Sequence, residues 1–172
     1  FMASSSPLVF EDLVLVGTSN GRDSGGETVP APKAPSFLAV NKDTGKVVWQ
    51  DDSPGHNILH GQWASPALAL VNGVHQALFP GGDGWLYSFD ARTGESIWRF
   101  DLNPKDAVWP RTRNYGVSTP VFSRGRVYIA VGQDPDHSFG KGHAYSIDPG
   151  RRGDITDAGR VWHYDKINRS IS

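Results

Sequence analysis

Four side chains in one short stretch, Asp134, Asp136, His137 and His143, are of the types that ligate a metal ion. Asp134-Pro135-Asp136 has neither the regular alternation nor the following glutamate of a calcium-binding loop. Asp beside Pro and Gly is what turns use, so turn chemistry is expected here and no metal. A second group sits in two segments rich in polar and aromatic residues, His56 to Trp63 and Trp109 to Gly116. Within them His60, Trp63, Arg113, Asn114 and Tyr115 offer stacking surfaces, hydrogen-bond donors and a guanidinium, a set suited to a polar or anionic ligand. The competing reading of the same five is that they tie neighbouring structural units together by hydrogen bonds. Asp83, in Gly82-Asp83-Gly84, reads as a turn residue whose side chain caps its own backbone. No catalytic residue is assigned. The sequence has no Gly-x-Ser-x-Gly elbow, no Gly-rich phosphate loop before a helix and no His-Glu-x-x-His pair, which leaves hydrolase and nucleotide-binding chemistry without residues.

The composition narrows the partners. Of 172 residues, 17 are basic and 18 acidic, giving a net charge of -1. Neither sign forms a run, so the long-range field that holds nucleic acid or an anionic membrane is missing. No apolar stretch approaches the roughly 18 residues needed to span a bilayer, so no transmembrane segment is expected. Cysteine is absent, which excludes disulfides, thiolate nucleophiles and zinc-thiolate sites but leaves the compartment open. Twenty glycines, twelve prolines and six tryptophans describe short strands and many turns, and the fold class expected is all-β.

One unit recurs three times. It begins at Ser6-Pro7, Ser65-Pro66 and Thr119-Pro120, continues through apolar runs such as Phe37 to Asn41, Trp85 to Asp90 and His143 to Asp148, and ends at Trp49, Trp98 and Trp162. Apolar runs of 4 to 6 residues separated by Gly, Asp and Asn are the pattern of an antiparallel meander, and each copy supplies four strands. From Pro7 to Pro66 is 59 residues and from Pro66 to Pro120 is 54, longer than the roughly 40 to 50 of common propeller blades but of the right order once loop insertions are allowed. The expected architecture is a partial β-propeller of about three four-stranded antiparallel blades, over residues 6–50, 65–100 and 119–164 of a single domain spanning 1–172. Asp43, Asp90 and Asp148 are read as recurring in step with the repeat, and recurrence argues for architecture.

The pattern Ala/Ser-x-Asp/Asn-x-x-Thr-Gly-x-x-x-Trp resembles the repeat of pyrroloquinoline-quinone (PQQ) dependent alcohol dehydrogenases and of their non-catalytic relatives, including the propeller lipoprotein of outer-membrane barrel assembly. Ala39, Asn41, Thr44, Gly45 and Trp49 carry it in the first copy, and Ser88, Asp90, Thr93, Gly94 and Trp98 in the second. The third keeps Ser146, Asp148 and Trp162 but stretches the last hairpin through Arg151 to Ala158. The resemblance implies that Trp49, Trp98 and Trp162 dock between neighbouring blades, where an indole buries roughly 150 to 250 Å². It also implies a periplasmic or extracellular location.

Closed propellers usually have about 4 to 8 blades, so three suggest a fragment of a larger propeller or self-association. Strand parity places the inter-blade segments and the insertions Thr18 to Pro35 and Gln133 to Gly142 on one loop face, and His60, Trp63, Arg113, Asn114 and Tyr115 at the mouth of a central channel there. Loops on a rigid scaffold are where binding residues concentrate. The leading functional expectation is a non-catalytic scaffold presenting this face to a protein partner or a small polar ligand, with no cofactor. The alternative is a fragment of a PQQ-dependent alcohol or sugar dehydrogenase, which would hold PQQ with calcium. A third reading, a lectin-like propeller, would use Trp63, Trp85 or Tyr115 as sugar-stacking platforms.

Overall fold

A computed structural model describes residues 5–18, 20–26, 28–133 and 141–168. The first repeat forms β1 (Leu8–Phe10), β2 (Leu13–Gly17), β3 (Phe37–Asn41) and β4 (Val47–Asp51), each antiparallel to the one before. The second forms β5 (Ala67–Val71), β6 (Val74–Pro80), β7 (Trp85–Asp90) and β8 (Ser96–Asp101) in the same order. In the third, a short β9 (Asn114–Tyr115) precedes β10 (Val121–Ser123), β11 (Arg126–Gln133) and β12 (Gly142–Ile147). It is completed by β13 (Gly153–Asp154) and β14 (Arg160–Ile167). The fold is an all-β segment of a propeller.

The turn between third and fourth strands explains the Asp/Asn and Gly of the repeat. Asn41 Oδ1 accepts hydrogen bonds from the Asp43 and Thr44 amides, and Asp90 Oδ1 from those of Arg92 and Thr93. Asp148 Oδ1 accepts from Gly150. The residue in step with Asp90 and Asp148 is therefore Asn41 and not Asp43, which lies two positions further along the turn. Gly45 and Gly94 close their turns at φ of 67° and 74°, a region costly for a residue with a Cβ.

The core lies between blades, not within them. Phe10, Leu15, Phe37 and Trp49 of blade one pack with Ala77, Phe79, Phe89 and Ala91 of blade two, and Leu78, Leu86, Trp98 and Phe100 pack with Val127, Ile129, Tyr145 and Ile147 of blade three. Trp49 is buried, and its indole N–H donates to the Ala91 carbonyl at 2.9 Å. Gly94 is its seat: a Cβ there would stand 2.7 Å from Trp49 Cγ. Trp98 is buried too, but its N–H donates to Gln76 Oε1 at 2.8 Å, and Gln76 Nε2 in turn reaches the Pro149 carbonyl at 3.4 Å. An amide side chain thus relays to blade three the contact that blade one makes directly. Trp162 lies on the far face of blade three and is 45% exposed, beside exposed Val161 and Tyr164.

Two sheets depart from four antiparallel strands. β9 adds to β11, and β13, inside the stretched hairpin of the third repeat, leaves its own blade to pair parallel with β8 of blade two. The insertion Arg151 to Ala158 is what gives the chain the reach. It is fixed by Ile155, which is 1% exposed and donates its amide to the Arg99 carbonyl at 3.0 Å.

Burial sets a different stability cost for each indole. Trp49→Ala and Trp98→Ala are expected to destabilise by about 3 to 5 kcal/mol, and Trp162→Ala by less than about 1 kcal/mol. Urea midpoints of the three variants check the order; equal losses at all three would contradict it.

Candidate functional site

The loop face between blades two and three is assembled from the ends of β8, β11, β12 and β14 and from the segment that crosses between the blades. Asn103, two residues past β8, is the hub of that crossing. Its Oδ1 accepts the Asn114 amide at 2.7 Å, while its Nδ2 donates to the Asp83 and Gly84 carbonyls at 3.3 Å each. Asn114, 1% exposed, donates its side-chain N–H to the Leu102 carbonyl at 2.9 Å. Arg113 Nη2 donates to the Asp83 carbonyl at 3.1 Å and lies 3.8 Å from Asp101 Oδ1. Both Arg113 and Asn114 are therefore engaged with blade two.

Asp83 stands beneath this web, 3% exposed. One carboxylate oxygen accepts the Trp85 amide at 3.1 Å and the other the Tyr87 hydroxyl at 2.7 Å. Burial outweighs these bonds and the nearby Arg113, and pushes its pKa up to about 6. The same burial, with the Asp83 charge beside it, raises that of Tyr87.

His60, Trp63 and Tyr115 come together as an aromatic trio. Trp63 meets Tyr115 edge-on at 5.5 Å between ring centres, and His60 lies 6.4 Å from Trp63 and 6.1 Å from Tyr115. Beside them the Gln62 Oε1 accepts the Gly82 amide at 3.1 Å. The five residues singled out in the sequence thus fall into two groups, the trio and the Arg113–Asn114 pair, joined through the backbone at Asn114–Tyr115. Trp85, half-buried, lies under the Arg99 guanidinium at 4.8 Å.

A cleft of about 620 Å³ opens on this face, and of the five residues only Asn114 lines it. Its floor is a stack of three rings from adjacent strands. Tyr145 and His163 lie parallel at 4.5 Å, and His143 is 5.1 Å from His163. His143 Nδ1 and His163 Nε2 are 2.9 Å apart, so one donates and the other accepts. Desolvation lowers the pKa of both, joined for His143 by the charge of His163, and Asp165 acts the other way on each. The Tyr145 hydroxyl donates to the Leu102 carbonyl at 2.9 Å. Lys141, Asp101 and Asp165 line it as well, so the cleft presents both charge signs around the two imidazoles.

The sequence marked His143 only in company with Asp134, Asp136 and His137, which lie outside the described residues. It did not mark His163. The signal was present only as register: Tyr145 pairs with His163 across β12 and β14, a ladder with two irregularities that sequence spacing does not disclose. Among the described residues no group of three His, Cys, Asp or Glu side chains is placed to hold a metal ion, and no helix is long and apolar enough to cross a membrane.

Comparison with known proteins follows the repeat. The family profile described as outer membrane protein assembly factor BamB matches residues 2–134 and again 82–153. The dehydrogenase subunit of the quinone alcohol dehydrogenase of Gluconacetobacter polyoxogenes is 30% identical over 118 residues, 66% of this chain and 16% of that protein. The quinoprotein ethanol dehydrogenase of Pseudomonas putida is 37% identical over 65 residues, 38% of this chain and 9% of that protein. The chain therefore spans about a sixth or less of these relatives. Among solved structures, the quinohemoprotein alcohol dehydrogenase ADHIIG from Pseudomonas putida HK5 superposes with a TM-score of 0.66 at 18% identity, over 96% of this chain and 27% of its own. BamB from Moraxella catarrhalis superposes with a TM-score of 0.50 at 15% identity, over 96% of this chain and 49% of its own. These superpositions establish the propeller fold.

Two substitutions test the web. Because the folded Asp83 titrates near 6 and an unfolded aspartate near 3.8, the folded state holds the extra proton between those values. Stability is then expected to fall as pH rises from about 4 to 6, by roughly 3 kcal/mol for a shift of about two units. Asp83→Asn should flatten that slope in urea midpoints taken across the window; an unchanged slope would assign it elsewhere. Asn114→Ala should cost about 1 to 3 kcal/mol in the absence of any ligand, since it strands buried partners. A neutral effect would free Asn114 for a ligand.

Proposed function

From a chain that belongs to the BamB family of PQQ-like propeller repeats, we propose a non-catalytic binding segment that presents its loop face to a protein partner or a small polar ligand. The observation that carries this reading is the direction of the polar groups at that face. Arg113 and Asn114 donate to the Asp83 and Leu102 carbonyls, and both carboxylate oxygens of Asp83 are taken up by the Trp85 amide and the Tyr87 hydroxyl of β7. These groups hold blades two and three in register, which a scaffold requires. The cleft over Tyr145, His143 and His163, with lysine and aspartate lining it, is the natural seat for the ligand or for a polar side chain of the partner. The same family resemblance supports a periplasmic or extracellular location.

The dehydrogenase reading is favoured by the names of the curated relatives. PQQ is a planar, polyanionic quinone whose reactivity a bound calcium ion enhances, and the protein's share is to stack it, pair its carboxylates and ligate the ion. The described residues do not assemble that set: the rings of the trio pack on one another, and the Arg113 guanidinium is committed to blade two.

Titration with PQQ in the presence of calcium separates the two readings. Non-catalytic binding predicts no saturable change in tryptophan fluorescence and no ethanol-dependent reduction of an artificial electron-accepting dye. Saturable quenching together with dye reduction would overturn it in favour of the dehydrogenase.

A further inference from the structure

The outer edges of blades one and two are built alike and treated differently. Trp49 pairs with Ala39 as Trp98 pairs with Ser88, which makes Val48 the counterpart of Ile97 and Gln50 that of Arg99. In blade two, β13 runs parallel along this edge, with Gly153 opposite Trp98 and Asp154 opposite Arg99. Ile155 donates to the Arg99 carbonyl, the Thr156 hydroxyl accepts the Asp101 amide at 3.0 Å, and Asp154 lies 3.6 Å from the Arg99 guanidinium. Ile97 and the segment Pro149 to Arg152 line one small cavity, and Ile97 is only 6% exposed. The added strand pairs with the edge, and the segment leading into it lies over the aliphatic side chain there.

In blade one the same edge carries no strand. β4 pairs with β3 alone among the described residues, and Val47 and Val48 are 54% and 49% exposed. The neighbouring blade cannot supply a cover. Its corresponding turn, Asp90 to Gly94, is too short to cross, and Arg92 at its tip is drawn inward to Glu11 by bonds of 3.1 and 2.6 Å. A sheet edge with adjacent β-branched side chains and unpaired backbone is a template for an incoming strand.

We infer that the outer edge of β4 is a strand-addition site, which receives an extended segment of a partner protein parallel to Val47–Asp51. Blade two shows the pattern that such a segment carries: a glycine opposite the tryptophan, where φ is 78°, a polar residue opposite the next position and a branched apolar residue after it, as in Gly153-Asp154-Ile155. Gln50 in place of Arg99 removes the demand for an acid at the middle position. The site lies on the outer rim, away from the loop-face cleft, and does not depend on what occupies that cleft.

The absence of cysteine allows a direct test by disulfide trapping. The probe is a synthetic peptide of the sequence Arg151–Ala158 with cysteine in place of Asp154, offered in a thiol redox buffer to the Gln50→Cys variant of the chain. In the parallel register the two sulfurs face each other. The clasp peptide is expected to trap about tenfold more than a scrambled peptide with its cysteine at the same position, since main-chain pairing raises the effective concentration of the thiol. Adding Val48→Lys, an exposed change that leaves the fold intact, should remove the excess. Equal trapping of both peptides, or an excess that survives Val48→Lys, overturns the proposal. So does disulfide-linked dimer formation by Gln50→Cys that outcompetes the peptide, which would assign the edge to a second copy of this chain.

Discussion

The structure depends on one contact, an indole from the last strand of a blade lying on the glycine of the next blade's turn. At Trp49 the ring sits where a Cβ on Gly94 would intrude, and its N–H reaches the Ala91 carbonyl. The requirements of that contact account for most of the repeat. Glycine must be where the ring lands and where φ is positive. An Asx side chain must cap the turn so that the carbonyl is presented at a fixed point, as Asp90 does for Arg92 and Thr93. A small residue must face the tryptophan across its own sheet, as Ala39 and Ser88 do. Because each apolar cluster spans two blades, folding of one blade is coupled to its neighbour and not complete in itself.

The second interface keeps the plan and changes the wiring. Gln76 takes the Trp98 N–H and passes a bond on to Pro149, so a buried amide replaces a direct contact. That arrangement leaves the third repeat's turn free to grow, and the growth becomes β13. A parallel strand contributed by the following blade shields the edge of β8 while Ile155 enters the core between the blades. The far face of blade three leaves Trp162, Val161 and Tyr164 exposed.

Much of this was legible in the sequence, for physical reasons. The four antiparallel strands of each repeat and their order follow from the spacing of apolar runs and turn residues, and the roles of Gly45, Gly94 and the paired Asx positions from a tight turn's need for φ > 0 and a side-chain acceptor; the added β9 and β13 do not. What escaped depends on register. The stretch Arg151 to Ala158 reads as a long hairpin, and nothing in its residues says that two of them will pair with another blade. The three-ring floor of the cleft joins His143 and Tyr145 to His163 only through a ladder with irregular pairing, so no spacing reveals it. Arg113 and Asn114 were legible as hydrogen-bonding groups, but their partners are main-chain carbonyls of Asp83 and Leu102, to which sequence gives no pointer.

A propeller face whose polar residues hold the blades in register, with a mixed-charge cleft beside them, is a platform that leaves specificity to the loops above it. That platform exists only if the indole and its glycine seat are energetically one unit. The most direct measurement is a double-mutant cycle on Trp49→Ala and Gly94→Ala by urea denaturation. If the ring occupies the space above Gly94, the methyl group costs more with the tryptophan present than without it, and the two changes should couple by about 1 kcal/mol or more. Additivity within about 0.5 kcal/mol would mean that Gly94 serves only its own turn, and would contradict the account.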